Sequence, residues 1–170
     1  MELGLPAFAV RRLLRRRDLV KVQQGVYVDH TGPLTWLQRA WAGVLALWPS
    51  ALSHDSALRA GDGPGRRGDD VLHIAIDRDR SPAAPPGVRL HRLAHLDERV
   101  QWHLSPPRVR IEEAVLDVAA SALDEMAAIA AVADAVQARR TTPGSSARHA
   151  GGACPDRSQA AAAECAARRE

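Results

Sequence analysis

The residues of this chain best able to do chemistry are its histidines and an arginine run. His73, His91 and His103 each fall on the polar, alternate positions of β-like stretches, opposite Leu72/Ile74/Ile76, Val88/Leu90 and Val100/Trp102/Leu104. Side chains alternate between the two faces of a strand. If the three strands are neighbours in register, three imidazoles share one face, which is what a zinc site requires. The competing reading is three partly exposed residues on the wetter side of a sheet. The second reading is the one adopted, so no metal site and no cofactor is expected.

His54, in Ser53-His54-Asp55-Ser56, matches a catalytic cluster in composition only. Residues adjacent on a helix point different ways, and a triad is defined by geometry. His54 is expected to pack or to cap. Asp77, Asp79, Glu112, Glu113 and Asp117 are scattered without metal-nuclease spacing, and Glu112 and Glu113 open a helix, where the dipole favours them. Gly61 to Gly68 lacks the Lys-Ser/Thr pair of a phosphate loop. No catalysis is expected.

The arginine run points to binding. Residues 1–28 hold six basic side chains (Arg11, Arg12, Arg15, Arg16, Arg17, Lys21) against Glu2 and Asp18, a balance of +4 in a chain of net charge +3. Charge concentrated at one end of a near-neutral chain marks a docking place for a polyanion, with nucleic acid the first candidate. On a helical wheel Arg11, Arg12, Arg15 and Arg16 span roughly 140°, while Val10, Leu13 and Leu14 span roughly 100° on the other side. One face can pack while the other meets phosphate. Phe8 falls on the basic side and is the misfit.

Certain elements must position these residues. A helix is expected from about Gly4 to Arg17, with Pro6 in its first turn. Leu19 to Val28, with Gly25 between two β-rich runs, reads as a hairpin. Helix and hairpin together have the logic of a winged helix, with Arg11, Arg12, Arg15 and Arg16 meeting DNA and Lys21, Gln23 and Gln24 on the wing. Next come a helix capped by Thr35, running to Trp48 and stopped by Pro49, and a short one from Ser53 as cap to Leu58. Its apolar face is expected to hold Trp36, Leu37, Ala40, Trp41, Val44, Leu45 and Trp48. After a Gly-rich loop from Gly61 to Asp70, strands are expected at Val71–Asp77, Val88–Leu93 and Arg99–Leu104. From Arg110 the pattern is helical again, split near residue 121 by a Ser121/Asp124 capping box, with Leu123, Met126, Ile129 and Val136 among its apolar positions. Thr141-Thr-Pro143 ends it.

The whole is read as an α+β protein. A partial winged-helix module covers 1–31, a mixed domain with a small β-sheet packed against helices covers 34–143, and 144–170 is a tail expected to be disordered. That tail holds no Leu, Ile, Val, Phe, Trp, Tyr or Met to offset the entropy of ordering it. Cys154 and Cys165 lie in it and supply no disulfide framework for the core. No apolar run approaches the ~18 residues of a membrane span, and the start carries no signal-peptide pattern, so a cytoplasmic, membrane-free protein is expected.

Gly4 to Val28, with Gly25-Val-Tyr-Val28 closing the wing, resembles the N-terminal winged helix of the AbiEi antitoxin family of type IV toxin–antitoxin systems. The resemblance continues through Leu52-Ser-His-Asp-Ser-Ala57, Leu72-His-Ile-Ala-Ile76, Gly87-Val-Arg-Leu-His-Arg92, Ser105-Pro-Pro-Arg108 and Ala114-Val-Leu-Asp-Val-Ala-Ala120. It implies a non-catalytic antitoxin that binds operator double-stranded DNA and represses transcription. Its second domain would support dimerisation and oppose a nucleotidyltransferase-like toxin. Relative to the family's pattern the winged helix looks shortened at its start, and the stretch after Pro143 looks altered, either an ordinary tail or an out-of-frame end. Two alternatives remain: an N-terminal targeting fragment of a very-short-patch-repair-like endonuclease protein without its catalytic domain, and a protein-interaction domain whose basic helix binds an acidic partner.

Overall fold

The computed structural model describes residues 6–62 and 70–137. Those residues form an α+β fold. Helix α1 (Ala7–Arg16) is followed by strands β1 (Val20–Gln23) and β2 (Val26–Val28), helix α2 (Trp36–Ala46), strand β3 (Ala51–Leu52) and helix α3 (His54–Asp62). Then come β4 (Leu72–Asp77), β5 (Val88–Leu93), the short helix α4 (Leu96–Arg99), β6 (Val100–Gln101), β7 (Arg108–Val109), α5 (Ile111–Ala120) and α6 (Glu125–Gln137).

Helix α1 closes as its sequence suggests. Arg17 turns into the left-handed region (φ 63°), and the Arg17 and Asp18 amides donate back to the Leu14 and Leu13 carbonyls. That double bond satisfies two of the end carbonyls and stops the helix. The chain passes at once into the β1–β2 hairpin, antiparallel with Val20 opposite Val28 and Lys21 opposite Tyr27. The turn between them is possible because Gly25 takes φ +77° with open space around it. The hairpin rests on α2.

Helix α2 starts at a full capping box: Thr35 Oγ1 accepts from the Gln38 amide, and Gln38 Oε1 accepts from the Thr35 amide. It ends at Ala46, two residues short of the expected Trp48. Its buried face overlaps the expected one only in part: Ala40 and Val44 face in and Trp36 packs on the core, but Ala42 and Gly43 are buried too, while Leu37, Leu45 and Trp48 are about half exposed. Gly43 explains the choice. A Cβ there would stand 2.6 Å from Ile74 Cδ1, so any larger residue would force the end of the Ile74 side chain to move.

The five-stranded sheet runs β5-β4-β3-β7-β6. β4 is parallel to β5 and antiparallel to β3, and β7 is parallel to β3 and antiparallel to β6. One face carries Leu52, Leu72, Ile74 and Ile76 into the main core, with Ala40, Val44, Ala57, Leu58, Ala114 and Val115 from the helices. The opposite face holds a smaller apolar cluster of Ala51, Ala75, Leu93, Leu96, Val100 and Val109. Both sides of β4 are therefore buried, and His73 lies on the second of them.

The third expected strand, Arg99–Leu104, shrinks to Val100–Gln101, and Trp102 to Leu104 form a turn. Ser53 does not cap α3 with its side chain; its hydroxyl is buried without a partner. Gly61 and Asp62, expected in a loop, are the last residues of α3, and residues 63–69 of that loop lie outside the described residues. The α5/α6 break occurs where expected, but the cap is Asp124, whose carboxylate accepts from the Ala127 amide at 2.7 Å. Ser121 instead donates to the Val118 carbonyl. Leu123, Met126 and Ile129 are exposed, because α6 docks through the smaller Ala135 and Val132. The segment Thr141–Pro143, the tail with Cys154 and Cys165, and Gly4 and Leu5 lie outside the described residues.

Candidate nucleic-acid interface and buried histidine cluster

The basic helix has the two-sided character its spacing requires. Arg11, Arg12, Arg15 and Arg16 are exposed, whereas Ala9, Val10, Leu13 and Leu14 are half-buried. No residue of α1 is fully buried. Phe8 is 72% exposed and lines a shallow groove along the helix with Arg11, Leu14 and Arg15. On the hairpin Lys21 and Gln24 are exposed and Gln23 is half-buried. Arg16 is partly engaged: its Nε lies 3.3 Å from an Asp18 carboxylate oxygen, with both side chains largely in solvent. Arg15 and Arg16 also sit in the last turn, where the helix dipole favours cations.

Such a surface offers solvent-exposed guanidiniums along one helix, and among the described residues the ion pair found on it is Arg16–Asp18. Guanidinium planes suit phosphate oxygens and guanine edges alike. The groups therefore have the chemistry of a nucleic-acid contact.

The second cluster lies on the β4/β5 side of the sheet. In the parallel β4–β5 ladder Ala75 stands opposite His91, so His73 and His91 share a face two residues apart. His73 Nδ1 and His91 Nε2 are 3.0 Å apart and share a hydrogen bond. The third imidazole is His54, not His103. β6 lies at the far edge of the sheet, three strands from β4, and His103 is exposed in the turn beyond it. His54 is placed by the left-handed turn (φ 47°) where the chain leaves β3 for α3. Its ring stacks on His91 with centroids 3.7 Å apart and planes 27° inclined, and lies 5.4 Å from His73.

All three are buried: His54 is 6% exposed, His73 8% and His91 4%. The surrounding backbone is tied tightly, since Ser53 donates to the His73 carbonyl and the His73 amide donates to Ser56 Oγ. Burial first, then His91 and His73, then Arg99 and Arg89, hold the His54 imidazole down to about 2. It is a neutral ring with its Nδ1 buried and unpartnered. The expectation of a packing role for His54 accounts for its burial but not for that nitrogen. Periodicity could not reveal this partner, because a ring thrown across a sheet by a positive φ leaves no pattern in sequence.

The scattered carboxylates resolve differently. Glu113 and Asp117, one turn apart on α5, both grip Arg99: Nε pairs with Glu113, and Nη2 lies 3.3 Å from Asp117. Burial opposes the charge on Arg99, but the hydrogen bond it donates to Glu113 and the fields of both acids hold it above its ordinary value. Burial pushes the Asp117 carboxyl up, with Arg99 pulling it partly back. Asp77 accepts from the Asp79 amide and closes the turn after β4. These are structural roles.

No protein-family model matches the chain, and no curated protein matches it either.

Proposed function

We propose that the chain is a non-catalytic, AbiEi-like antitoxin that binds operator DNA and represses transcription in the cytoplasm. One observation carries this reading: α1 turns four guanidiniums to solvent while Val10, Leu13 and Leu14 on its other side are half-buried, and it runs directly into a glycine-turned hairpin. The recognition helix supplies Arg11, Arg12, Arg15 and Arg16, and the wing supplies Lys21, Gln23 and Gln24. In this arrangement phosphate contacts fix the register and base-edge contacts from the same arginines carry specificity. The mixed domain is then the part that dimerises and faces a nucleotidyltransferase-like toxin.

The test is a gel-shift titration of the full chain on the DNA upstream of its own gene. A retarded complex is expected, weakened at least tenfold when Arg11, Arg12, Arg15 and Arg16 are changed together to Ala. A missing shift, or one unaffected by that change, would overturn the proposal.

A further inference from the structure

We propose that His54, His73 and His91 form a binding site for a divalent transition-metal ion of the zinc type, with one coordination position left to water. This goes beyond DNA binding and rests on different residues.

Geometry is the first support. One ring nitrogen from each histidine lies within 4.8 Å of the others. Tetrahedral zinc with Zn–N of about 2.0–2.1 Å sets nitrogens about 3.3 Å apart. His73 Nδ1 and His91 Nε2, at 3.0 Å, already stand near that spacing. The wider pairs close by at most about 1.5 Å of side-chain movement.

Unmet polar demand is the second. His54 Nδ1 is buried without a partner, and so is Ser53 Oγ next to it in sequence. A buried polar atom without a partner is costly, so such atoms in a native protein call for an explanation. The hydrogen bond between His73 and His91 leaves that His54 nitrogen unserved. A metal ion supplies an acceptor for three lone pairs at once. When it binds, the ring that now donates in the His73–His91 bond moves its proton to its other nitrogen and turns the freed lone pair to the ion.

The donor set decides the class of ion. Three imidazoles and no carboxylate among them suit zinc, copper, nickel or cobalt and not magnesium or calcium, which take oxygen. Two cations face the site. Arg99 is neutralised by Glu113 and Asp117, and Arg89, opposite His73 in the ladder, is solvent-exposed. The ligands come from β4, β5 and the start of α3. The two strands share a ladder, and the Ser53 amide ties the start of α3 to the His73 carbonyl. The backbone is thus fixed, while the stacked His54 ring must turn to aim a nitrogen at the ion.

The experiment uses the full chain carrying Cys154→Ser and Cys165→Ser, to remove the thiols as competitors, after dialysis against a chelator. Zinc is titrated by calorimetry, and Co²⁺ is added separately for its visible bands. One equivalent of zinc is expected to bind, Co²⁺ to give tetrahedral-type absorption, and the histidine ring resonances of His54, His73 and His91 to shift while that of His103 stays. Changing His54, His73 or His91 to Gln should weaken zinc by more than the ~10–100-fold typical of outer-shell changes, and His103→Gln should leave it unchanged. Binding below stoichiometry would overturn the proposal, as would ring shifts confined to other histidines. The spectra of the unsubstituted histidines decide the matter even if a variant fails to fold.

Discussion

Arg99 and Asp117 lie 3.3 Å apart across the gap between α4 and α5, and Glu113 completes the group on the same guanidinium. With Arg99 21% exposed and the two carboxylates 11% and 13%, this is a largely dry triad. Charges in such places stabilise only while all partners are present.

Replacing Arg99 with Met should therefore cost about 3–5 kcal/mol of unfolding free energy near neutral pH. Without Arg99 the attraction that partly offsets burial at Asp117 is lost, so its carboxyl pKa rises further above the unfolded value. A raised acid pKa carries its penalty at neutral pH and loses it as pH falls through the folded pKa. Urea unfolding should show the deficit of Arg99→Met shrinking as pH falls through the raised Asp117 pKa, and shrinking likewise at neutral pH when Glu113→Gln and Asp117→Asn are added. A deficit independent of pH would show that lost packing, not stranded charge, sets the cost.

Gly43 and Ile74 should be coupled. Alanine normally gains about 1 kcal/mol over glycine inside a helix. At Gly43 the new Cβ meets Ile74 Cδ1, so Gly43→Ala should destabilise instead, by about 1 kcal/mol once an overpacking cost of roughly 1–3 is set against that gain. Ile74→Val removes the clashing methyl. In that background Gly43→Ala should become neutral or stabilising, a sign change that thermal melts of the four proteins would reveal.

Asp18 should restrain DNA binding. It holds Arg16 at 3.3 Å on the surface, an exposed pair worth about 0.2–1 kcal/mol. Asp18→Asn releases Arg16 and removes a negative charge beside the basic helix. DNA affinity at low salt should rise by up to about fivefold, judged from that range. Unchanged or weaker binding in fluorescence anisotropy would contradict the placement of Arg16 on phosphate.

Local patterns in the sequence carried much of this fold. The turn at Gly25 and the alternation along Leu72–Asp77 and Val88–Leu93 announce their elements, because a positive φ and a two-residue period leave marks in neighbouring residues. β3 and β7 leave no such mark, being two residues long and held by long-range pairing. The histidine site was half legible for the same reason. His73 and His91 follow from alternation, but strand order sends His103 to the far edge, and only the left-handed turn at His54 supplies the third ring. The exposed Leu123, Met126 and Ile129 show the converse: an apolar helical spacing names a face without naming what covers it. On α1 the division into basic and apolar sides was readable because both come from a single helix.

The most direct test of the central claim is the salt dependence of DNA affinity. If Arg11, Arg12, Arg15 and Arg16 each neutralise one phosphate, log Kd against log salt should have a slope of about 3.6, so that affinity falls roughly a hundredfold between about 50 and 200 mM salt. Each Arg→Ala change should lower the slope by about 0.9. A flat dependence, or a slope that survives replacement of all four arginines, would contradict the account.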